Sequence, residues 1–279
     1  MLDAELMSLP DLASAPAADL HPPVVEEGEP QVGRRVYVQL PGWPGGELRA
    51  SLYLPPTWSR SAHLPVVIEY AGNGPYHGPA GDFSSGRHED AVLGFGATGG
   101  DGFIWLTLPF VEQGIRGQAT QWWGDAAASA AMLRDAARYV CDRWGGDARR
   151  RVLAGFSRGS IACNFIGLRD VSTAALWRAF ICHSHYDGVK PWPYVGSDRR
   201  SAISRLQRLH GRPQFVSHEG AMGSATQPAR ELIDEARSTG AAGDITYVDL
   251  PYRNHTAAWT LRPIPQREQL RAWLQRVIT

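Results

Sequence analysis

Apolar positions along this chain follow two periods. In residues 35–40 and 48–54 they alternate with polar ones, the pattern of half-buried strands, and the glycine-rich turn at 42–46 predicts that the two pair as an antiparallel hairpin. Residues 64–70, 103–108, 152–154, 177–182, 214–217 and 245–250 are short, nearly continuous apolar runs, as expected of strands covered on both faces. Between them the period changes. Met132, Ala136, Val140 and Trp144 recur every fourth residue beside Leu133, Ala137 and Cys141, and Gly145-Gly146 stops that helix. A second helix is expected over 228–237, and a last one carries Leu270, Trp273, Leu274, Val277 and Ile278 on one face. Strands alternating with helices after an initial hairpin predict an α/β fold around a mostly parallel sheet. The glycine-rich stretch 78–102 reads as a long connection.

One motif breaks this alternation. Gly155-Phe156-Ser157-Arg158-Gly159 lies where the apolar run 152–154 gives way to a helix-like run at 161–166. A serine on so sharp a turn projects its hydroxyl beyond the sheet edge, and glycines flank it because a Cβ at either position would clash. The backbone N–H of Arg158, in the first turn of the helix, would be placed to stabilise an oxyanion. A second donor is expected from Ala71 or Gly72, in the loop after 64–70.

A serine hydroxyl needs a base to act as a nucleophile. His255 follows the last strand and precedes the last helix, the place a base takes in such a sheet. Two carboxylates compete to orient it. Glu219 lies just past the strand at 214–217, on a loop adjacent to that of His255. Asp187 lies one strand earlier, within 183–188, and would have to reach further sideways. That same stretch holds His183 and His185, residue types that bind zinc, and His218 would be a third ligand. The set is incomplete, so no metal is expected; no glycine run ends in Gly-Lys-Ser/Thr, and the run at 94–102 precedes a strand where a dinucleotide fingerprint would follow one, so no organic cofactor is expected either. Trp43, Tyr76, Trp122, Trp123, Trp192 and Tyr194 fall in or near loops, where they either pack or line a cleft for an aromatic or sugar-bearing substrate.

Composition narrows the classes further. With 28 basic and 28 acidic residues among 279, no net charge draws the chain to nucleic acid or an anionic membrane. Lys190 is the only lysine. Cys141, Cys163 and Cys182 sit in apolar surroundings at no metal-like spacing and read as free thiols. No apolar run approaches a membrane span, and no signal sequence is visible, so a cytoplasmic location is the default expectation. Residues 1–30, with Asp3, Glu5, Asp11, Asp19, Glu26, Glu27 and Glu29 and no lysine or arginine, are expected to be a disordered or loosely draped acidic tail. Residues 31–279 are expected to form one domain. The sequence is silent on oligomeric state.

With the elbow at 155–159, Gly145-Gly146-Asp147 and the histidine loop, the chain resembles serine esterases of the α/β-hydrolase fold. It is most similar to those related to feruloyl esterases and polyhydroxybutyrate depolymerases. Two segments depart from that pattern. Tyr70-Ala71-Gly72-Asn73-Gly74 stands where a His-Gly oxyanion signature is usual, and residues 217–223 replace a Gly-x-x-Asp acid loop. The resemblance implies a cofactor-free hydrolase acting on small-molecule or polymer-linked esters through an acyl-enzyme. A peptidase or acyltransferase on the same triad, and an inactive scaffold used for binding, remain open.

Overall fold

The computed structural model describes residues 8–279 apart from 44, 45, 47, 115, 116, 221, 222 and 242. Pro44 and Gly45 of the expected turn, Asp3 and Glu5 of the tail, and Ala221 and Met222 of the expected acid loop therefore lie outside the described residues. The strands of the main sheet are β1 Val25–Glu26, β2 Arg35–Val38, β3 Ala50–Tyr53, β4 Leu64–Tyr70, β5 Ile104–Leu108, β6 Gly146–Phe156, β7 Ala179–His183, β8 Gly211–Glu219 and β9 Gly243–Leu250. They lie side by side in the order β1-β2-β3-β5-β4-β6-β7-β8-β9. β2 pairs antiparallel with β3, as the alternating pattern predicts, and β3 runs antiparallel to β5. Every pairing from β5 through β9 is parallel.

Side chains of successive strand residues enter opposite faces. Val66, Ile68, Tyr70 and Leu153 join one core, with the long helix α2 (Ala126–Trp144), whereas Val67, Val152, Ala154 and Ile181 join the other. The second core is closed by α1 (Leu93–Thr98) and by α7 (Pro265–Ile278), whose Leu270, Trp273, Leu274, Val277 and Ile278 are all buried. The remaining helices are α3 Arg158–Phe165, α4 Val171–Ala174, α5 Arg199–Leu206 and α6 Gln227–Ser238. Asp125 caps α2, its carboxylate accepting from the N–H groups of Ala127 and Ala128 at 2.9 Å, and Gly145 ends it at φ 70°. Among the described residues no helix is long and apolar enough to cross a membrane.

Two stretches carry more structure than the sequence pattern describes. The long connection before β5 contains α1 and a short ribbon pairing Tyr76–His77 with Phe83–Ser84. The helix forms despite two glycines because tertiary contacts outweigh propensity. The buried carboxylate of Glu69 accepts from the N–H groups of Leu93 and Gly94 at 3.0 and 2.7 Å, and a Cβ on Gly96 would lie 2.1 Å from Thr260 Oγ1. The stretch expected to be an acidic tail, in turn, runs as a strap along the domain from Ser8 onward. Its acids find arginines: Asp11 pairs with Arg253 at 2.9 Å, Asp19 with Arg267, Glu26 with Arg34 and Glu27 with Arg49. Leu12 is buried among the core residues of the second face.

Candidate active site

Ser157 sits between the last residue of β6 and the first of α3, with φ 55° and ψ −114°. A residue with a Cβ rarely adopts that conformation, and here the surroundings impose it. A Cβ on Gly155 would approach Gly159 O to 2.0 Å, and one on Gly159 would approach Tyr70 O to 2.0 Å. Both glycines are therefore required by contact. Gly72 comes equally close from the β4 side, because a Cβ there would stand 3.3 Å from Ser157 Cβ. The backbone of the loop after β4 thus borders the serine, with Ala71 buried beside it.

The structure brings Ser157, His255 and Glu219 together. Ser157 Oγ lies 3.0 Å from His255 Nε2, and His255 Nδ1 lies 2.5 Å from Glu219 Oε1. Glu219 is the last residue of β8 and is 7% exposed. Burial raises the pKa of its carboxyl, but the charges of His218 and His255 with the His255 hydrogen bond outweigh that and hold it well below the usual range. Burial likewise lowers the pKa of His255, and the Glu219 carboxylate reverses the sign, so the imidazole is more basic than usual. The arrangement can accept a proton from the serine and hold the resulting cation.

Asp187 is placed elsewhere. It is buried and bidentate to Arg205 of α5, at 2.7 and 3.0 Å. Burial pushes its carboxyl up to about 6 against the pull of that arginine. The histidines that suggested zinc also part company. His183 Nδ1 lies 3.1 Å from Ser217 Oγ, and its Nε2 accepts from Trp259 Nε1 at 3.0 Å. His185 instead lies against His255, with ring centroids 5.1 Å apart. Among the described residues no group of three or more His, Cys, Asp or Glu is arranged to hold a metal ion.

Three contributors to the site escape sequence reading. Ser184 is the first: its Oγ donates to Glu219 Oε1 at 2.9 Å and lies 2.9 Å from His255 Nδ1. It is buried at φ 84°. Its neighbours His183 and Asp187 drew attention, but nothing in the pattern marks the serine between them. Asp82 is the second. Its carboxylate accepts from His255 N at 2.8 Å and from Asn254 Nδ2 at 2.9 Å, fixing the histidine loop. The strap is the third, gripping the same loop from outside: Asn254 Oδ1 accepts from Leu12 N at 2.6 Å, and Arg253 N donates to Pro10 O. The Arg158 side chain adds a further tie. Fully buried and lying 4.2 Å from the Phe110 ring centroid, it donates to the carbonyls of Gly86, Ala119 and Trp122, and burial lowers its pKa to about 9.

Ser184 yields the first expectation. Both Ser184→Ala and Ser184→Gly should slow turnover roughly tenfold, the scale of a hydrogen bond to a charged group. Loss of the donor leaves Glu219 more basic, so the acid limb of the pH–rate profile should move to higher pH. Alanine at φ 84° keeps the backbone strain that glycine relieves, so the glycine variant should be the more stable of the two by about 1 kcal/mol. A serine that served packing alone would change stability and leave the acid limb in place.

No family model matches the chain, and no curated protein does. Solved structures do. Thermogutta terrifontis esterase 2 phosphoramylated by tabun superposes with a TM-score of 0.55 at 14% identity, over 89% of this chain and 96% of that one. A thermostable esterase gives 0.53 at 14% identity over 87% of this chain, which spans 62% of its length. Porphyromonas gingivalis dipeptidyl peptidase 4 gives 0.54 at 14% identity over 88% of this chain and 35% of the peptidase. At such identity the likeness is one of fold, and the fold is that of the α/β-hydrolases.

Proposed function

We propose that this protein is a serine hydrolase that cleaves carboxylic esters through an acyl-enzyme. The observation that carries this reading is the unbroken hydrogen-bond chain from Ser157 Oγ through His255 to Glu219. Ser157 Oγ attacks the ester carbonyl and passes its proton to His255 Nε2, while Glu219 stabilises the imidazolium. The N–H of Arg158, with that of Ala71 or Gly72, holds the oxyanion. Collapse breaks the bond to the alcohol oxygen, which takes the proton from His255. Water then repeats the sequence on the acyl-enzyme, with the same base, and frees Ser157. No metal or organic cofactor takes part in this scheme. The elbow, Gly145-Gly146-Asp147 and the histidine loop resemble those of feruloyl esterases and polyhydroxybutyrate depolymerases, so small aromatic and polymer-linked hydroxyacyl esters are the substrates to try first.

A panel of such esters, matched amides and acceptor alcohols, run with and without a chelator, tests the reading. Esters should be turned over fastest, to free acid, and equally well in the chelator. Faster amide cleavage would make the protein a peptidase, and acyl transfer to the alcohols an acyltransferase. Activity lost in chelator and restored by zinc would return attention to His183, His185 and His218.

A further inference from the structure

We propose that the cavity beside Glu219 is the subsite for the leaving alcohol, and that it takes an apolar, ring-sized alcohol bearing a carboxylate or similar anion. This rests on the hydrolase reading above. The cavity has a volume of about 430 Å³, within the ~300–1,000 Å³ range of small-ligand sites. Its walls include Val189, Val216, Pro228 and Ala229, with the Trp192 ring on one side. Ser184, His185, His218 and Glu219 also line it; Ser184 and Glu219 hold His255 Nδ1, so the cavity adjoins the imidazole beyond the edge that faces Ser157. The His185 ring bridges the two regions, 5.1 Å from His255 and 5.3 Å from Trp192 between ring centroids.

That position selects one half of the substrate. His255 Nε2 must hand its proton to the departing oxygen, so the alcohol lies on the His255 side of the scissile bond. The charges lining the cavity then select its chemistry. Glu219, the only carboxylate among the described lining residues, is engaged through Oε1 by His255 and Ser184, and His218, also on the wall, has its Nδ1 3.8 Å from Glu219 Oε2. Burial and the neighbouring His255 charge push the His185 imidazole down to about 3, so it is neutral near pH 7. Lys190 also lines the cavity, with its Nζ 6.0 Å from the Trp192 ring centroid and no carboxylate paired with it among the described residues. The chain's only lysine is thus a cation over an apolar, aromatic-walled space. Lys190 is exposed, so an uncharged alcohol would fill the walls and leave the ammonium to water, whereas an anion on the alcohol would pair with it.

A matched pair of esters tests this: 3-(acetoxymethyl)benzoate against benzyl acetate, which differ by one carboxylate on the leaving alcohol. The ratio of their kcat/KM values should favour the charged ester about tenfold, the scale of a hydrogen bond between charged partners. It should fall towards one in Lys190→Ala, invert in Lys190→Glu and shrink as salt is added. A second arm needs no turnover. Titrating the Ser157→Ala protein with 3-(hydroxymethyl)benzoate and with benzyl alcohol should show tighter binding of the acid, and Ser157→Ala/Lys190→Ala should lose that difference. Binding that discriminates through Lys190 while the wild type cleaves neither ester would uphold the subsite and overturn the hydrolase reading. Equal binding of acid and alcohol, or a preference that survives without Lys190, would overturn the inference itself.

Discussion

Replacing Ser157 with alanine is expected to abolish covalent labelling by a fluorophosphonate and to lower ester turnover by about 10⁶-fold, the loss measured for the nucleophile of a well-studied serine hydrolase. The fold should be indifferent to the change. Alanine keeps the Cβ that the elbow already accommodates at φ 55°, and it loses only the hydroxyl, whose partner is His255. The loss should appear in the chemical step, with a melting temperature close to wild type. Ester turnover that survives the substitution undiminished would sink the assignment of Ser157, however well the hydrogen bonds are aligned.

The second large effect is expected at Glu219. On the proposed reading, Glu219→Gln removes the charge that holds the His255 tautomer and stabilises its cation, and in a well-studied serine protease loss of the corresponding carboxylate costs on the order of 10⁴-fold in kcat. The pH dependence provides an independent check. A general base works when neutral, so the wild-type kcat/KM should rise with pH through an apparent pKa above the ordinary 6.5 of histidine, because Glu219 raises that of His255. Without the carboxylate, burial acts on His255 with less to oppose it, and the acid limb should move to lower pH. Asp187→Asn makes the contrast. It alters a carboxylate whose partner is Arg205, so its cost should fall on stability, by about 1–3 kcal/mol, while kcat stays within a few-fold. Abolished turnover in folded Asp187→Asn, beside a nearly silent Glu219→Gln, would move the acid one strand back.

What the sequence made legible follows from how each residue is held. Ser157, Glu219 and His255 stand at or just beyond strand ends, and the order of apolar runs places such positions at one sheet edge before any side-chain contact is known. Gly155 and Gly159 were readable because their contacts arise within the strand–turn–helix unit and the strand beside it. Ser184 was not. Its role depends on Glu219 and His255, which reach it from two other loops. Asp82 lies in a glycine-rich stretch whose spacing carries no period. The segment Leu93–Thr98 has poor helix propensity and is helical because Glu69 anchors its first turn while Thr260 and Trp105 crowd its glycines. By composition the strap reads as disordered or loosely draped, since Asp11, Asp19, Glu26 and Glu27 find their arginines elsewhere in the chain. Arg158 drew attention for its backbone, whereas its buried guanidinium ties together the loops at Gly86, Ala119 and Trp122.

The grip of the strap on the histidine loop also orders events in time. Leu12 and Asn254, joined by a hydrogen bond, are 242 positions apart, so that contact closes one of the longest loops in the molecule. The elbow around Ser157 draws on strands much nearer in the chain and can form while the protein is still being synthesised. The turn that carries the proposed nucleophile can thus take shape before the loop of the proposed base is gripped. On the proposed reading, the elbow precedes His255 in the chain, and the contacts that hold the histidine loop, from Leu12, Asp82 and Glu219, can close only after residue 255 has been made.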